Sequence, residues 1–247
     1  MKTLDQLMAI AHQFIWVIFD LDETLIFRAP DIVQQANLAA LRILCTKTHD
    51  MRFLADHLAH VYQHTAKGNG ILVPKRQQLQ LLLNRLGRSD NVESLFTAYI
   101  TAYMSKVEMF PEVQATLSAL KINGIRLGIA TNSSPDVVEE VLQNYDMLHF
   151  FQIVVTPAHV GSVKPSHAYA AFVTEQTGAA PHRIMFVGNH AEDMMTARNM
   201  GSTAILVRRG SDKQEEVMPD YIVKTLKEIL PIFCDDNAID GNDPTTT

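Results

Sequence analysis

Two aspartates, Asp20 and Asp22, come directly after an apolar run in the stretch WVIFDLDETLIF, which covers Trp16 to Phe27. Side chains two residues apart point to the same side of an extended chain, so both carboxylates face one point if the strand continues that far. Like charges at one point repel each other unless a cation lies between them. A hard divalent ion bound by oxygen ligands removes the repulsion, and Mg²⁺ is the usual choice inside cells. The pair therefore predicts a magnesium site.

Three further groups of polar residues follow apolar runs later in the chain and could act together with the aspartates. They are Thr131 with Asn132 and Ser133, Lys164 with Pro165, and Gly188 with Asn189 and Asp193. Lys164 carries a positive charge that could neutralise a phosphate. Thr131 and the backbone amides near it could donate hydrogen bonds to phosphate oxygens. Together with the aspartates, these groups predict a site for a small anionic substrate.

The elements that would position these groups alternate between strand and helix. Five short runs are almost continuously apolar, as expected for strands that are covered on both faces of a parallel sheet. The predicted strands are residues 15–19, 126–130, 152–155, 183–187 and 203–207. Helical patterns lie between the later strands, and this alternation predicts a doubly wound α/β fold. Because ligands bind at the carboxyl ends of the strands in such sheets, the polar groups are expected to meet there.

One long segment, residues 29–106, breaks the alternation, because it shows helical periodicity and no strand pattern. We call it the helical segment; its apolar residues form four stripes that could pack as a small bundle. The stripes are Ile32, Ala36, Ala39 and Ile43; Leu54, Leu58 and Val61; Leu79, Leu82, Leu83 and Leu86; and Val92, Leu95, Phe96, Tyr99, Ile100 and Tyr103. We predict a core domain of residues 14–28 and 107–232, an inserted helical domain of residues 29–106, and a disordered polar tail of residues 233–247.

Composition limits the classes of function. The net charge is −6, from 21 basic and 27 acidic residues, which argues against non-specific binding to nucleic acid or membranes. Cys45 and Cys234 match no paired metal or redox spacing and are expected to be reduced. The opening stretch MKTLDQLMAIAHQF resembles no cleaved leader, and no apolar window is long enough to span a membrane. These features predict a soluble cytoplasmic protein and leave its oligomeric state open.

Four motifs in the right order make the chain resemble the haloacid dehalogenase superfamily, most of whose members are phosphohydrolases. DLDET at Asp20–Thr24 is similar to the first motif of that family, and TN at Thr131-Asn132 is similar to the second. KP at Lys164-Pro165 is similar to the third motif, and VGNHAED at Val187–Asp193 to the fourth. One such motif is weak support, but four of them, each at a strand end or a helix start, are specific. The likeness covers roughly residues 14–230.

The resemblance implies a role for each matching residue. Asp20 would be the nucleophile that forms an aspartyl-phosphate, and Asp22 would be the general acid and base. Asp22 would also bind Mg²⁺ through its backbone carbonyl, and Asp193 would orient the waters or outer ligands of the metal. The helical segment would be a cap that closes over the site and selects substrates. The implied phosphate-binding residues are Thr131, Asn132 and Lys164, and the implied metal-site residues are Asp20, Asp22, Asn189 and Asp193.

One residue departs from the family pattern. The fourth motif usually has an aspartate directly after the glycine, whereas this chain has Asn189. The asparagine offers a carbonyl oxygen with one negative charge fewer, so weaker Mg²⁺ binding is expected. The dehalogenating branch of the family tends to have asparagine in this region. That branch generally lacks the second aspartate of the first motif, however, and here Asp22 is present.

The prediction that fits these residues best is a Mg²⁺-dependent phosphatase for a small phosphorylated metabolite. Three alternatives stay open: a phosphomutase on the same scaffold, a dehalogenase-type hydrolase, and a non-catalytic phosphate-binding or regulatory protein. Four residues could contact the leaving group, although each also fits a surface or packing role: Arg28, Lys75, Arg76 and Tyr103. A helix face with His57, His60 and His64 is interpreted as solvated and not as a zinc site.

Overall fold

The computed structural model describes residue 6 and residues 13–46, 49–68, 70–209 and 218–233. Ten strands occur in these ranges: β1 (Trp16–Phe19), β2 (Ile26–Arg28), β3 (Ala66–Lys67), β4 (Gly70–Ile71), β5 (Val107–Met109), β6 (Arg126–Ala130), β7 (Phe151–Val155), β8 (Ile184–Gly188), β9 (Thr203–Val207) and β10 (Tyr221–Val223). Six of the described strands form one parallel sheet in the order β10-β9-β8-β1-β6-β7. The strand that precedes the two aspartates, β1, therefore lies inside the sheet.

Helices cover both faces of this sheet, so the predicted doubly wound α/β fold is confirmed. Those described are α1 (Ile32–Leu44), α2 (Met51–Thr65), α3 (Lys75–Leu86), α4 (Val92–Met104), α5 (Val113–Ile122), α6 (Pro135–Asn144), α7 (Pro157–Val160), α8 (His167–Thr177) and α9 (Ala191–Met200). Short 3-10 helices occur at Leu148–Phe150, Pro181–Arg183 and Leu226–Ile232. Helices α5 and α6 pack on one face of the sheet, and helices α8 and α9 pack on the other.

The burial of β1 explains why its sequence is apolar throughout. Val17 and Phe19 belong to the hydrophobic core on the α5–α6 side, whereas Trp16 and Ile18 belong to the core on the α8–α9 side. Successive side chains of a strand point to opposite faces, and here each face meets a layer of helices. A polar side chain at any of the four positions would therefore be buried, and the first aspartate comes only after the strand has ended.

The predicted strands agree closely with the observed ones. β6 and β9 have the predicted bounds. β1 begins one residue later than predicted, β7 begins one residue earlier, and β8 is shifted by one residue. Strand β10 and the antiparallel ribbon of β2 with β5 were not predicted. The prediction of no strand in residues 29–106 is wrong, because β3 and β4 form a two-residue antiparallel pair. Strands of two residues are too short to show alternation in the sequence.

The four predicted helices of the helical segment correspond to α1, α2, α3 and α4, but the stripe predicted for α1 needs correction. Ala39 is only half-buried and Ile43 is 43% exposed, whereas the neighbouring Ala40 and Leu44 are fully buried. Helix α1 packs along α4; Ile32 and Ala36 are buried as predicted, but the second half of the buried line lies one position further along the chain. One position corresponds to a rotation of about 100° around the helix. Packing against α4 determines this face, and periodicity alone did not reveal it.

Some predictions fall outside the described residues. The predicted tail lies there from residue 234 onward, as do residues 1–5 and 7–12 of the opening stretch. Within the described ranges, none of the helices combines the length and the apolar character needed to cross a membrane. Cys45 is exposed and free of disulfide bonding, while Cys234 lies outside the described ranges.

The tight packing beneath the central strands makes a first prediction. A Cβ added at Gly128 in β6 would lie 2.6 Å from Ile153 Cγ1 and 2.8 Å from Ile18 Cδ1. We expect Gly128→Ala to lower the free energy of unfolding by about 1–3 kcal/mol, because both branched side chains must shift. Urea denaturation followed by circular dichroism measures the loss. Ser94→Ala on the exposed face of α4 is the control, and equal stability of the two variants would contradict the packing described here.

Candidate active site

The loop after β1 places both aspartates at the carboxyl end of the sheet. The backbone N–H of Asp20 donates to the carbonyl of Val187 in β8 at 2.9 Å. The chain then turns sharply, because the Leu21 carbonyl accepts hydrogen bonds from the three residues that follow Glu23. Glu23 itself has a φ of 58°, an uncommon value for a residue with a side chain. Asp22 therefore reaches the site through a turn, and not along the extended strand that the sequence argument required.

A buried lysine joins the first aspartate to the last of the predicted site residues. Lys164 Nζ donates to Oδ1 of Asp20 and to Oδ1 of Asp193, both at 2.6 Å. All three residues are at most 6% exposed. The second oxygen of Asp193 accepts from the backbone N–H groups of Asn189 and His190 at 3.1 and 3.0 Å. Both oxygens of Asp193 are thus engaged, and they tie Lys164 to the N-terminus of α9.

The charges of this cluster do not balance. Lys164 supplies one positive charge, whereas Asp20 and Asp193 supply two carboxylates. The carboxylate of Asp22 adds a further negative charge near Asp20. Burial raises the pKa of Asp20 to about 7; the charge of Lys164 opposes this rise, and those of Asp193 and Asp22 add to it. Burial would lower the pKa of Lys164, but Asp193 and Asp20 hold that pKa above its ordinary value. The excess of negative charge beside Asp20 suits a further cation.

The second aspartate is held from two sides. Ser133 Oγ donates to Asp22 Oδ2 at 2.8 Å, and Arg28 Nε forms an ion pair with Asp22 Oδ1 at 3.2 Å. Arg28 belongs to β2, in the ribbon that leads into the helical segment. Burial, followed by the charge of Asp22, raises the pKa of Tyr103 well above its ordinary value. A neutral phenol and a guanidinium therefore both lie next to this carboxylate.

The two residues after β6 have different environments. Asn132 Oδ1 accepts from the Lys164 N–H at 2.8 Å, and its Nδ2 donates to the Lys164 carbonyl at 3.3 Å and to Glu192 Oε2 at 3.2 Å. The Asn132 side chain thus fixes the backbone of Lys164. Thr131 is 1% exposed, and the Tyr169 hydroxyl donates to its carbonyl at 2.9 Å. The loop that carries Thr131 is therefore supported from beneath by α8.

The donors around Asp20 match a hard divalent ion in type. Asn189 Oδ1 accepts from Thr24 Oγ1 at 3.4 Å, and the same hydroxyl lies 3.5 Å from Asp20 Oδ2. The carboxylate of Asp20, the amide oxygen of Asn189 and the backbone of Asp22 offer oxygen ligands, which Mg²⁺ and Ca²⁺ take. In the described ranges, no three His, Cys, Asp or Glu side chains form a metal-binding group. An ion here would thus need amide or backbone oxygens as well as carboxylates.

A cavity of about 420 Å³ brings all of these groups together. The seven predicted site residues line it: Asp20, Asp22, Thr131, Asn132, Lys164, Asn189 and Asp193. Arg28 also lines it, as do six residues of the helical segment: Val33, Tyr62, Ile71, Lys75, Tyr99 and Tyr103. Arg76 does not contribute, because its guanidinium forms ion pairs with Glu93 and Glu140 at 3.1 and 3.4 Å. Of the four residues proposed to contact a leaving group, three therefore line the cavity.

Three residues that shape the site were not given individual roles by the sequence. Ser133 directly follows the TN motif, so its hydroxyl near Asp22 had a local signal in the sequence. Tyr169 had no such signal, because its partner Thr131 lies 38 positions away in the chain. Glu192 lies inside the fourth motif, but its contact with Asn132, 60 positions away, was not predicted. The histidine face of α2 lies apart from the cavity, and there His57 Nδ1 and His64 Nδ1 contact carbonyls of their own helix at 2.9 and 2.8 Å.

Comparison with known proteins gives relatives of similar length. The chain is 26% identical over 238 residues to a phosphoglycolate phosphatase of Shigella boydii serotype 4 (strain Sb227), covering 87% of this chain and 90% of the relative. It is 25% identical over 226 residues to a glyceraldehyde 3-phosphate phosphatase of Methanopyrus kandleri, covering 87% and 95% of the two chains. Both likenesses cover most of each chain.

Solved structures share the fold. A 2-haloacid dehalogenase from Pseudomonas syringae pv. Tomato DC3000 superposes with a TM-score of 0.70 at 22% identity, covering 89% of this chain and 97% of that one. A HAD phosphatase from Thermococcus onnurineus superposes with a TM-score of 0.61 at 22% identity, covering 86% and 94%. At such identities the likeness concerns the fold alone.

The family is established by a match to a family model. Residues 17–207 fit the family model described as haloacid dehalogenase-like hydrolase, which is more than half of the chain. The matched range runs from β1 to β9 and so includes every predicted site residue. The family match and the relatives named as phosphatases together show that the protein is an enzyme of the hydrolase class. The chain belongs to the haloacid dehalogenase-like hydrolase family.

Proposed function

We propose that the protein is a Mg²⁺-dependent phosphatase that removes phosphate from a small phosphorylated metabolite through an aspartyl-phosphate intermediate. The observation that carries this proposal is the buried pair of Asp20 and Lys164 at the cavity, with Asp22 on the same loop. Lys164 holds one oxygen of Asp20, which leaves Oδ2 to act as the nucleophile. The relatives named as phosphatases support the same reaction class.

The first step transfers the phosphoryl group to the protein. Asp20 Oδ2 forms a bond to phosphorus while the bond from phosphorus to the ester oxygen breaks. Asp22 in its protonated form gives that oxygen its proton, so the product leaves as a neutral alcohol. Ser133 and Arg28 orient the Asp22 side chain for this transfer.

The second step returns the enzyme to its starting state. Asp22, now ionised, takes a proton from a water molecule whose oxygen attacks phosphorus. The bond between phosphorus and Asp20 breaks, which releases inorganic phosphate and restores the carboxylate. Both steps use one acid–base residue, and the turn after β1 keeps that residue beside the nucleophile.

The transferring group develops negative charge that cationic and hydrogen-bonding groups must offset. Lys164 supplies a buried positive charge next to Asp20, and Thr131 with the backbone amides after β6 supplies donors. Asn132 contributes by fixing the backbone of Lys164. Asp20, the Asp22 carbonyl and Asn189 would hold Mg²⁺, with Asp193 orienting its surroundings. A bound Mg²⁺ would supply further positive charge at the phosphate.

The substrate class follows from the cavity and the relatives. A cavity of about 420 Å³ suits a small phosphomonoester, as the names phosphoglycolate phosphatase and glyceraldehyde 3-phosphate phosphatase indicate for two relatives.

A dehalogenase does not need the acid–base role given to Asp22. The phosphomutase and the non-catalytic protein remain alternatives that turnover assays separate. Cytoplasmic localisation stays a prediction from composition.

The nucleophile gives the direct test of the proposal. We expect the wild type to hydrolyse p-nitrophenyl phosphate with Mg²⁺ and to lose this activity in EDTA. Asp20→Asn should lower kcat by about a thousandfold or more, because the amide is not a nucleophile. Asp31→Asn, at an exposed position outside the cavity, is the matched control. Activity that survives in Asp20→Asn, or that needs no metal, would sink the mechanism.

The proposed role of Asn189 predicts how a substitution there changes the affinity for Mg²⁺. Asn189→Asp adds a negative charge on the Asp20 side of the site, so we expect the Mg²⁺ concentration for half-saturation to fall about tenfold. Calorimetric titration with Mg²⁺ and the Mg²⁺-dependent rise in Tm measure this without turnover. Asn84→Asp on the exposed side of α3 is the control. An unchanged or weaker affinity would mean that residue 189 does not contribute to the metal site.

The buried charge cluster makes a prediction about stability. Lys164→Met leaves Asp20 and Asp193 buried without a cation, and we expect this to lower the free energy of unfolding by about 3–5 kcal/mol. Lys121→Met, an exposed position on α5, is the matched control and should change it by less than about 0.5 kcal/mol. Urea denaturation of both variants measures the difference. Similar stabilities would show that the two carboxylates do not depend on Lys164.

A further inference from the structure

A buried lysine of the helical segment lacks an acidic partner. Lys75 begins α3 and lines the cavity, yet it is only 3% exposed. Its Nζ donates to Gln78 Oε1 at 2.8 Å and to Asn37 Oδ1 at 3.2 Å, and lies 4.7 Å from the centre of the Tyr99 ring. All three partners are uncharged, and no carboxylate of the described ranges forms an ion pair with this ammonium.

The acid that contacts Lys75 does so through the backbone. Asp136 accepts hydrogen bonds from the backbone N–H groups of Lys75 and Arg76 at 2.9 and 2.8 Å, and from Ser134 Oγ at 2.6 Å. Burial lowers the pKa of Lys75 to about 8, although the charge of Asp136 opposes this shift. Lys75 is therefore a buried cation that the protein compensates only in part.

The other lysine and arginine side chains lining the cavity have acidic partners. Lys164 binds Asp20 and Asp193, and Arg28 pairs with Asp22. Among the lysine and arginine side chains of the described cavity lining, Lys75 is thus the one without an acidic partner for its charge. A buried charge without a partner is unfavourable, and a ligand that supplies the opposite charge removes that penalty.

The hydrogen-bonding capacity of Lys75 narrows the chemistry of such a ligand. An ammonium has three N–H donors, and Gln78 and Asn37 use two of them. One donor remains, which matches a single oxygen of a carboxylate. A second phosphate group would bring more acceptors and more charge than this one donor satisfies. The geometry therefore favours a carboxylate.

The position of Lys75 relative to the phosphate site is set by the backbone. The Lys75 N–H also donates to Ser134 Oγ at 2.8 Å, and Ser134 follows the residue that binds Asp22. The first turn of α3 is thus joined to the loop that carries Thr131 and Ser133. The Lys75 side chain lines the same cavity of about 420 Å³ as Asp20, Thr131 and Ser133, so one small molecule in that cavity can contact both groups.

We propose that Lys75 determines specificity by binding a carboxylate on the leaving group, so that the enzyme prefers phosphomonoesters of small hydroxy acids. This inference rests on the proposed phosphatase function and adds a substrate class to it. Phosphoglycolate and 2-hydroxyethyl phosphate are the matched test compounds, because both carry a two-carbon leaving group and only the first has a carboxylate. Glyceraldehyde 3-phosphate, which also lacks a carboxylate, belongs to the disfavoured class.

Steady-state kinetics of the full chain with Mg²⁺ test the proposal. We expect the wild type to favour phosphoglycolate over 2-hydroxyethyl phosphate by at least about tenfold in kcat/KM, the effect of one charged hydrogen bond. Lys75→Met should lower kcat/KM for phosphoglycolate by about 10- to 100-fold and that for 2-hydroxyethyl phosphate by less than about threefold. Lys121→Met removes an exposed lysine charge and should change neither value.

A second variant tests the charge without removing the lysine. Asn37→Asp is nearly isosteric and gives Lys75 Nζ an internal carboxylate partner, while residue 37 does not line the cavity. We expect it to lower kcat/KM for phosphoglycolate by about tenfold and to leave 2-hydroxyethyl phosphate within about threefold. A purely structural role of Lys75 would not produce this selective loss. Tm values of all variants identify any that fail to fold.

The outcomes separate the two proposals. Turnover without preference for phosphoglycolate, or an equal loss for both compounds in Lys75→Met, overturns the role of Lys75 and leaves the phosphatase intact. No turnover of these compounds or of p-nitrophenyl phosphate contradicts the phosphatase function. Calorimetric titration of the wild type and Lys75→Met with the two compounds then decides the role of Lys75. A loss of binding confined to phosphoglycolate supports that role, and any other result overturns it.

Discussion

The hydrogen bonds from one buried ammonium, Lys164 Nζ, to Asp20 and Asp193 hold the site together. Three ionisable side chains that are nearly inaccessible to water are joined there, and none of them could remain buried as an isolated charge. Each comes from a different part of the chain: the loop after β1, the turn before α8 and the first turn of α9. The local backbone of all three must therefore be correct at once, and Asn132 contributes by clamping the backbone of the lysine.

The parallel sheet makes this convergence possible. Strands β8, β1 and β6 are neighbours, so their carboxyl ends bring residues far apart in sequence to one edge. Asp20 is anchored on β8 by its N–H, and the Thr131 N–H donates to the Val155 carbonyl of β7 at 3.1 Å. The polar loops after β1 and β6 thus each begin with a hydrogen bond to the adjacent strand. The apolar strands fix the positions of the loops, and the loops supply the chemistry.

Much of this arrangement could be predicted from the sequence, and the reasons are physical. Strands buried on both faces need apolar residues throughout, so β1, β6 and β9 were visible as runs. The polar groups after them had to meet, because ligands bind at that edge of such sheets. All seven predicted site residues do line one cavity, although their individual roles in turnover stay predictions.

The rest depended on contacts that no local pattern contains. Phosphate binding by Asn132 stays a prediction, and the sequence did not reveal that its side chain meets the backbone of a residue 32 positions later. Asp22 reaches the site by a turn with an unusual φ at Glu23, which apolar periodicity does not report. Ile43 was assigned to the wrong face of α1, because the neighbouring helix and not the spacing decided which side chains were covered.

The capping of α3 couples two events that are described separately above. Pro74 precedes this helix and gives it no side-chain cap, and the first two N–H groups are satisfied instead by Asp136 on α6. If the helical segment moved away from the sheet, the helix would lose the acceptors at its own N-terminus. Opening the cavity and fraying the first turn of α3 would therefore break the same hydrogen bonds to Asp136. A molecule that keeps the cavity closed would therefore also slow hydrogen exchange of the backbone N–H groups in the first turn of that helix.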